Sequence, residues 1–382
     1  MAAPFPMTER CARECRFVRP LSLIVTALLA AAVAYVLPGP AVAADRAPVF
    51  FGLQTHTAPT ARDIAMMRRG GAGTMRTVFG GGIQAFPEYA RWVSYDALMA
   101  AAARERIEVL PVLMGIPGDP RRINRPRTRA QRMVWASFVR GVAARYGPGG
   151  TFWKAHPELE AMPIRAYQVW NEPNLSAYWR PSTDAAGYLR LVRLTRARLR
   201  AVDPQAQIVL AGLPDSRRGT RMLDYVRAIY AQPGARTLFD VVALNPYAAD
   251  APGVLQQLNR VRTLMDRRGD TKTPIWVTEI GWATAGPRSP FRTSKSGQAA
   301  RIARTFRTLI AARKRLRLER LIVFGLQDRP YAPNERPWWG PRIGLFDLAG
   351  RPKPAWKTFV GFTGGRPGGR LPSVVVRGRR SR

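Results

Sequence analysis

Cysteine is almost absent. The two present, Cys11 and Cys15, both precede a long apolar run, so the chain beyond that run holds no thiol. A disulfide framework, a cysteine zinc site and a lipid-bearing cysteine after the run are thereby excluded. Histidine is equally scarce: His56 and His156 stand too far apart to suggest a zinc pair, and no metal is expected. Acidic residues are few, 25 against 61 basic ones, for a formal charge of +36. Lysine supplies only Lys154, Lys272, Lys295, Lys314, Lys353 and Lys357, so arginine carries nearly all of it. A field of that sign favours anionic partners such as acidic polysaccharide, phosphate-bearing wall polymer, anionic membrane or nucleic acid. The joint abundance of Arg, Ala, Gly and Pro is also what a GC-rich coding sequence yields. No basic block interleaved with aromatics marks a nucleic-acid surface, so no specific nucleic-acid partner is expected.

What is there begins with an export signal. Arg10, Arg13, Arg16 and Arg19 precede the almost wholly apolar Leu21 to Leu37; Pro38-Gly39-Pro40 breaks that helix, and Ala41-Val42-Ala43 is a small-x-small cleavage pattern. Residues 1–43 are read as a signal peptide directing the protein out of the cell or to its envelope; an uncleaved membrane anchor is the alternative. Residues 44–363 form one domain, and the Gly-, Pro- and Arg-rich 364–382 a basic flexible tail. With 46% apolar residues the domain has enough material for a core, and a monomer is expected.

Within the domain, short β-rich runs alternate with amphipathic stretches. Strands are expected over Val49 to Leu53, Thr74 to Val78, Glu108 to Met114, Arg165 to Trp170, Gln207 to Ala211, Asp240 to Leu244, Ile275 to Thr278 and Leu321 to Gly325, each followed by a helix. In the helix near Ala185 to Val202, Tyr188, Leu191, Val192, Thr195 and Leu199 share one face, and Asp203-Pro204 stops it. Consecutive strand–helix units imply a parallel sheet, and eight of them close it into a (β/α)8 TIM barrel.

Reactive groups in such a barrel sit at the C-terminal ends of strands. The fourth strand ends Trp170-Asn171-Glu172-Pro173-Asn174 and the seventh Thr278-Glu279-Ile280-Gly281-Trp282, placing two carboxylates 107 residues apart in sequence over one mouth. Such a pair is what cleavage of a glycosidic bond needs: one carboxyl holding a proton for the leaving oxygen, the other ionised to attack or hold the anomeric carbon. Either glutamate alone would be read as a surface ion pair.

These two segments resemble the signature strands of glycoside hydrolase clan A, retaining (β/α)8 glycosidases, and the bacterial family 39-like branch in particular, with the cellulase-like family 5 close behind. The resemblance covers essentially the whole chain after the signal. It implies Glu172 as general acid/base, Glu279 as nucleophile, and Asn171 as a contact to the sugar 2-hydroxyl. Arg76 matches an arginine near the nucleophile, and Tyr247, in Asn245-Pro246-Tyr247, an aromatic that hydrogen-bonds it. Two positions depart from the pattern: Asn245 stands where a histidine is common, and Phe324-Gly325-Leu326-Gln327-Asp328 where strand eight often ends in tryptophan. No cofactor is implied.

Flat sugar faces stack on aromatic rings, so Trp179, Trp282, Trp338 and Trp339, in loops at the expected mouth, are candidate platforms; His56, ending the first strand, is a candidate contact. The reading is a retaining glycosidase acting on a polysaccharide or oligosaccharide. A transglycosylase on the same site, or a non-catalytic carbohydrate- or envelope-binding barrel, are the alternatives.

Overall fold

The computed structural model describes residues 49–80, 88–116 and 125–374. The expected signal peptide and the chain beyond 374 lie outside them. Strands and helices alternate, opening with β1 (Phe51–Gln54), α1 (Ala61–Arg69), β2 (Thr74–Gly80), α2 (Glu88–Arg104), β3 (Glu108–Met114), α3 (Arg129–Tyr146) and α4 (Thr151–Ala155). Then come β4 (Ala166–Val169), α5 (Ala185–Arg200), β5 (Gln207–Val209), β6 (Leu213–Pro214), α6 (Met222–Tyr230), β7 (Val242–Asn245) and α7 (Ala251–Arg267). The series ends with β8 (Ile275–Ile280), α8 (Lys295–Ala311), α9 (Arg313–Leu316), β9 (Leu318–Phe324) and α10 (Pro354–Thr363).

Side chains at the loop–helix junctions fix where helices begin. Thr60 and Asp63 form a capping box on α1, Thr128 and Gln131 another on α3, and Asp184, Asp250 and Ser294 cap α5, α7 and α8. Each satisfies backbone N–H groups that the first turn leaves without partners.

All strands pair in parallel in the order β5-β4-β3-β2-β1-β9-β8-β7-β6. β5 and β6 are two stretches of one barrel strand, interrupted at residues 210–212; the first pairs with β4 and the second with β7. Hydrogen bonds from Leu210 N to Val241 O (3.0 Å) and from Asp240 N to Ile208 O (2.8 Å) close the ring. The fold is thus the (β/α)8 barrel expected, with its fifth strand broken where a continuous one was anticipated. Leu110, Val209, Ala243, Trp276 and Ile322 fill the barrel interior, while a larger apolar layer packs helices against strands.

The tail requires a correction. The segment to Val374 is docked, not free: Arg366 N donates to Arg69 O, Arg69 Nε to Gly368 O, Trp356 Nε1 to Pro367 O and Leu371 N to Gly350 O, and the Leu371 side chain is buried. One apolar residue and a row of backbone partners outweigh its loop-like composition. Among the described residues no helix is long and apolar enough to cross a membrane.

Candidate active site

The ends of β4 and β8 carry the two glutamates into the mouth by unlike devices. After β4 the backbone enters the left-handed region at Trp170 (φ 72°) and again at Glu172 (φ 47°), costly for a bulky aromatic. Surrounding contacts hold it there. Trp170 Nε1 donates to Tyr178 O (2.8 Å), its ring meets Trp135 and Trp179, Glu172 N donates to Gly212 O (3.2 Å), and Asn174 Nδ2 donates to Pro214 O and Thr220 O. On β8 the pairing with β9 slips between Val277 and Ile280, a bulge that re-aims Thr278 and Glu279.

Arg76, on β2, lies 1% exposed at the centre of the mouth. Its guanidinium donates to Glu279 Oε1 (2.5 Å), Gln168 Oε1 (2.6 Å), Asn171 Oδ1 (2.8 Å) and the Gln54 side chain. Tyr247 Oη donates to the other carboxylate oxygen, Glu279 Oε2 (2.9 Å). Both oxygens of Glu279 therefore receive donors, one of them cationic.

Glu172 is surrounded differently. Asn245 Nδ2 donates to its Oε1 (3.1 Å), and Thr278 Oγ1 donates to Asn245 Oδ1 (2.8 Å), fixing which way that amide faces. Burial, and next the negative charge of Glu279, push its pKa from 4.5 up to about 8, only partly opposed by the Asn245 hydrogen bond and by Arg76. Glu172 is thus a buried acid that holds its proton more tightly than an ordinary carboxyl. The tyrosines beside the pair are raised as well, Tyr178 by Glu172 in its ionised form and by burial, Tyr247 by burial and then by Glu279, so both phenols stay protonated.

Glu172, Glu279, Asn171, Arg76, Tyr247 and Asn245 come together in one cluster. Trp339, half-buried in the loop after β9, packs on Tyr247 (5.0 Å between centroids) and Phe291 (4.9 Å), and so reaches this cluster. Trp338 is 37% exposed, its Nε1 tied to Glu335 Oε1 (2.7 Å), and Glu335 is in turn clamped by Arg329. Two expected platforms are not platforms. Trp282 is 1% exposed with Nε1 donating to Ala248 O, and Trp179 is 1% exposed between Trp170 and Tyr188; both spend their faces on packing. His56 stands edge-on to Phe324 (4.8 Å). Its Nε2 is buried with no partner among the described residues, and desolvation, then Arg329, lower its pKa to about 3, so the ring is neutral.

Four positioning residues went unrecognised in the sequence: Gln54, Gln168, Gly212 and Tyr178. Gln54 and Gln168 are polar side chains interrupting strands that are otherwise buried, and that interruption was the available signal. Gly212 lies in the gap of the broken strand, where a Cβ would stand 2.3 Å from Asn245 Oδ1 and 2.5 Å from Thr278 Oγ1. Only glycine leaves room for the amide that touches Glu172. Among the described residues, no three His, Cys, Asp or Glu side chains gather as a metal site would need.

Comparison with known proteins places this geometry. Residues 142–329 match the family model described as glycosyl hydrolase catalytic core. A family 39 glycoside hydrolase from the gut symbiont Bacteroides cellulosilyticus WH2 superposes with a TM-score of 0.57 at 18% identity, over 83% of this chain and 64% of that one. The exo-β-1,4-mannosidase Op5Man5 from Opitutaceae bacterium strain TAV5 gives 0.59 at 15%, over 83% and 59%. GH10 from Paenibacillus barcinonensis gives 0.56 at 17%, over 84% and 96%. The chain thus spans less than two thirds of the length of the first two. No curated protein matches in sequence. The likeness is one of fold, that of a glycoside hydrolase TIM barrel.

Proposed function

We propose that this glycoside hydrolase barrel is a secreted retaining glycosidase that cleaves an O-glycosidic bond by double displacement, with Glu279 as nucleophile and Glu172 as acid/base. The observation that carries the reading is the opposite treatment of the two carboxyls: Glu279 receives Arg76 and Tyr247, Glu172 burial and a neighbouring negative charge.

In the first step a Glu279 carboxylate oxygen attacks the anomeric carbon. The bond to the leaving oxygen breaks, and that oxygen takes the Glu172 proton. Glu172, now ionised, then accepts a proton from water as the water oxygen bonds to the anomeric carbon and the ester to Glu279 breaks. The sugar leaves with its configuration retained, and Glu172 has its proton back. Arg76 and Tyr247 release part of their hold on Glu279 as its charge passes into the ester. Asn171, its Oδ1 bound by Arg76, is positioned for the sugar 2-hydroxyl, and Trp339 and Trp338 supply apolar rings on the side of Tyr247.

Incubation with 2-deoxy-2-fluoro glycosides bearing a good leaving group tests the reading by intact mass. A gain of one sugar, mapped to Glu279 and absent from Glu279→Gln, is expected. Failure of glucosyl, xylosyl, galactosyl, mannosyl and uronyl probes to label, together with no cleavage of oligosaccharides, would leave a barrel that binds without cutting.

A further inference from the structure

Between the N-terminal ends of α3 and α5 lies a cavity of 410 Å³, lined by Arg125, Arg127, Arg132, Arg190, Trp179 and Asp184 together with apolar residues of α5. Arg125 precedes α3 in the loop after β3, and Trp179 lies in the loop after β4, so the cavity opens on the side of the barrel that carries the glutamates. Tyr178 feels the charges of Glu172 and Glu279, and the next residue, Trp179, lines the cavity. Both sites draw on the loop after β4.

Its charge is unbalanced. Four arginines face a single carboxylate, Asp184, whose Oδ1 is already spent capping α5 at Gly187 N (2.8 Å). Oδ2 serves both Arg125 Nη1 (3.2 Å) and Arg190 Nη2 (3.6 Å). The Arg125 guanidinium lies 4.9 Å over the Trp179 ring, which holds it flat against the wall. Two donors there have no acceptor among the described residues: Arg125 Nε and Trp179 Nε1, the latter on a side chain 1% exposed. Buried donors without acceptors are costly to maintain, and so are like charges held together. An incoming anion would relieve both, whereas a neutral ligand would relieve only the first.

We propose that this cavity is a subsite for an anionic group, a carboxylate or phosphate ester, carried by a sugar unit of the glycan that Glu172 and Glu279 cleave. It selects acidic over neutral chains. The Arg125 fork supplies paired donors, Arg127 and Arg190 add charge at the rim, and the Trp179 ring keeps the Arg125 guanidinium in place. The inference rests on the glycosidase reading for the identity of the chain, not for the binding of the anion.

The test is calorimetric titration of the full chain with glucuronate, glucose 6-phosphate and glucose. It is repeated with Arg125→Gln, with Arg127→Gln/Arg190→Gln, and with Arg260→Gln on α7 as a charge-matched control. The charged sugars should bind about tenfold more tightly than glucose, and that preference should disappear in both cavity variants and persist in the control. Whichever charged sugar binds identifies the anion. Equal binding of charged and neutral sugars, or a preference that survives in both cavity variants, overturns the proposal. Arg127 and Arg190 are exposed, so the double variant decides should Arg125→Gln fail to fold. Fluoroglycoside labelling of Glu279 in the same variants separates the two readings. Labelling without an anion preference removes the subsite alone; a preference that follows the arginines without any labelling removes the glycosidase.

Discussion

The end of β4 and the end of β8 present the same functional group to the same cavity and treat it in opposite ways. At β8 the carboxylate is met by a guanidinium and a phenol. At β4 it meets one amide, a buried setting and the charge of its counterpart. Two glutamates identical in covalent structure are thereby given unlike surroundings, and the difference is made by neighbours from other strands. Chemical role here is a property of the closed ring, not of either segment.

The contrast can be broken most severely at β8. Glu279→Gln removes the group that Arg76 and Tyr247 prepare, and turnover should fall on the order of 10⁴-fold or more, read as steady-state hydrolysis. At β4 the loss should depend on substrate. Glu172→Gln should lower kcat/KM by about 10²–10⁴-fold for alkyl glycosides, while aryl glycosides with acidic leaving groups keep a fast first step and accumulate the glycosyl-enzyme. Equal loss on both substrate types would remove Glu172 from its acid role.

Smaller changes sharpen the contrast. Tyr247→Phe leaves Glu279 with Arg76 and should cost about 10–100-fold in kcat/KM, the range for a hydrogen bond to a charged group. The pH profile reports on Glu172 directly. Its acid form is lost as pH rises through about 8, so kcat/KM should decline there. The Asn245 hydrogen bond favours the ionised form, so Asn245→Ala should move that alkaline limb upward; a downward move would mean that the amide serves the protonated carboxyl instead.

The parts of this arrangement legible in the sequence were those written locally. Apolar runs of strand length, the Asp203-Pro204 helix stop and the Asn-Glu-Pro segment declared themselves over a few neighbours, as the agreement over α1 and the barrel strands illustrates. What stayed hidden was set at a distance. Trp179 and Trp282 read like Trp339, because a tryptophan in a loop has the same sequence appearance whether its faces meet packing partners or solvent. The need for glycine at 212 follows from crowding by Asn245 and Thr278, which lie more than thirty positions further on. The tail was misjudged by composition, since its hold on the barrel comes from backbone groups paired with α1 and with the turn after β9.

Arg76 ties together residues 22, 92, 95 and 203 positions away along the chain. Contacts so far apart have a high loop-closure entropy and form late, when strands from both halves of the polypeptide have met. A folding intermediate with seven good strands would carry every residue of the cluster and still have no site. The proposed activity would therefore serve as an assay for ring closure: during refolding it should return with the slowest structural phase, after helical content has recovered.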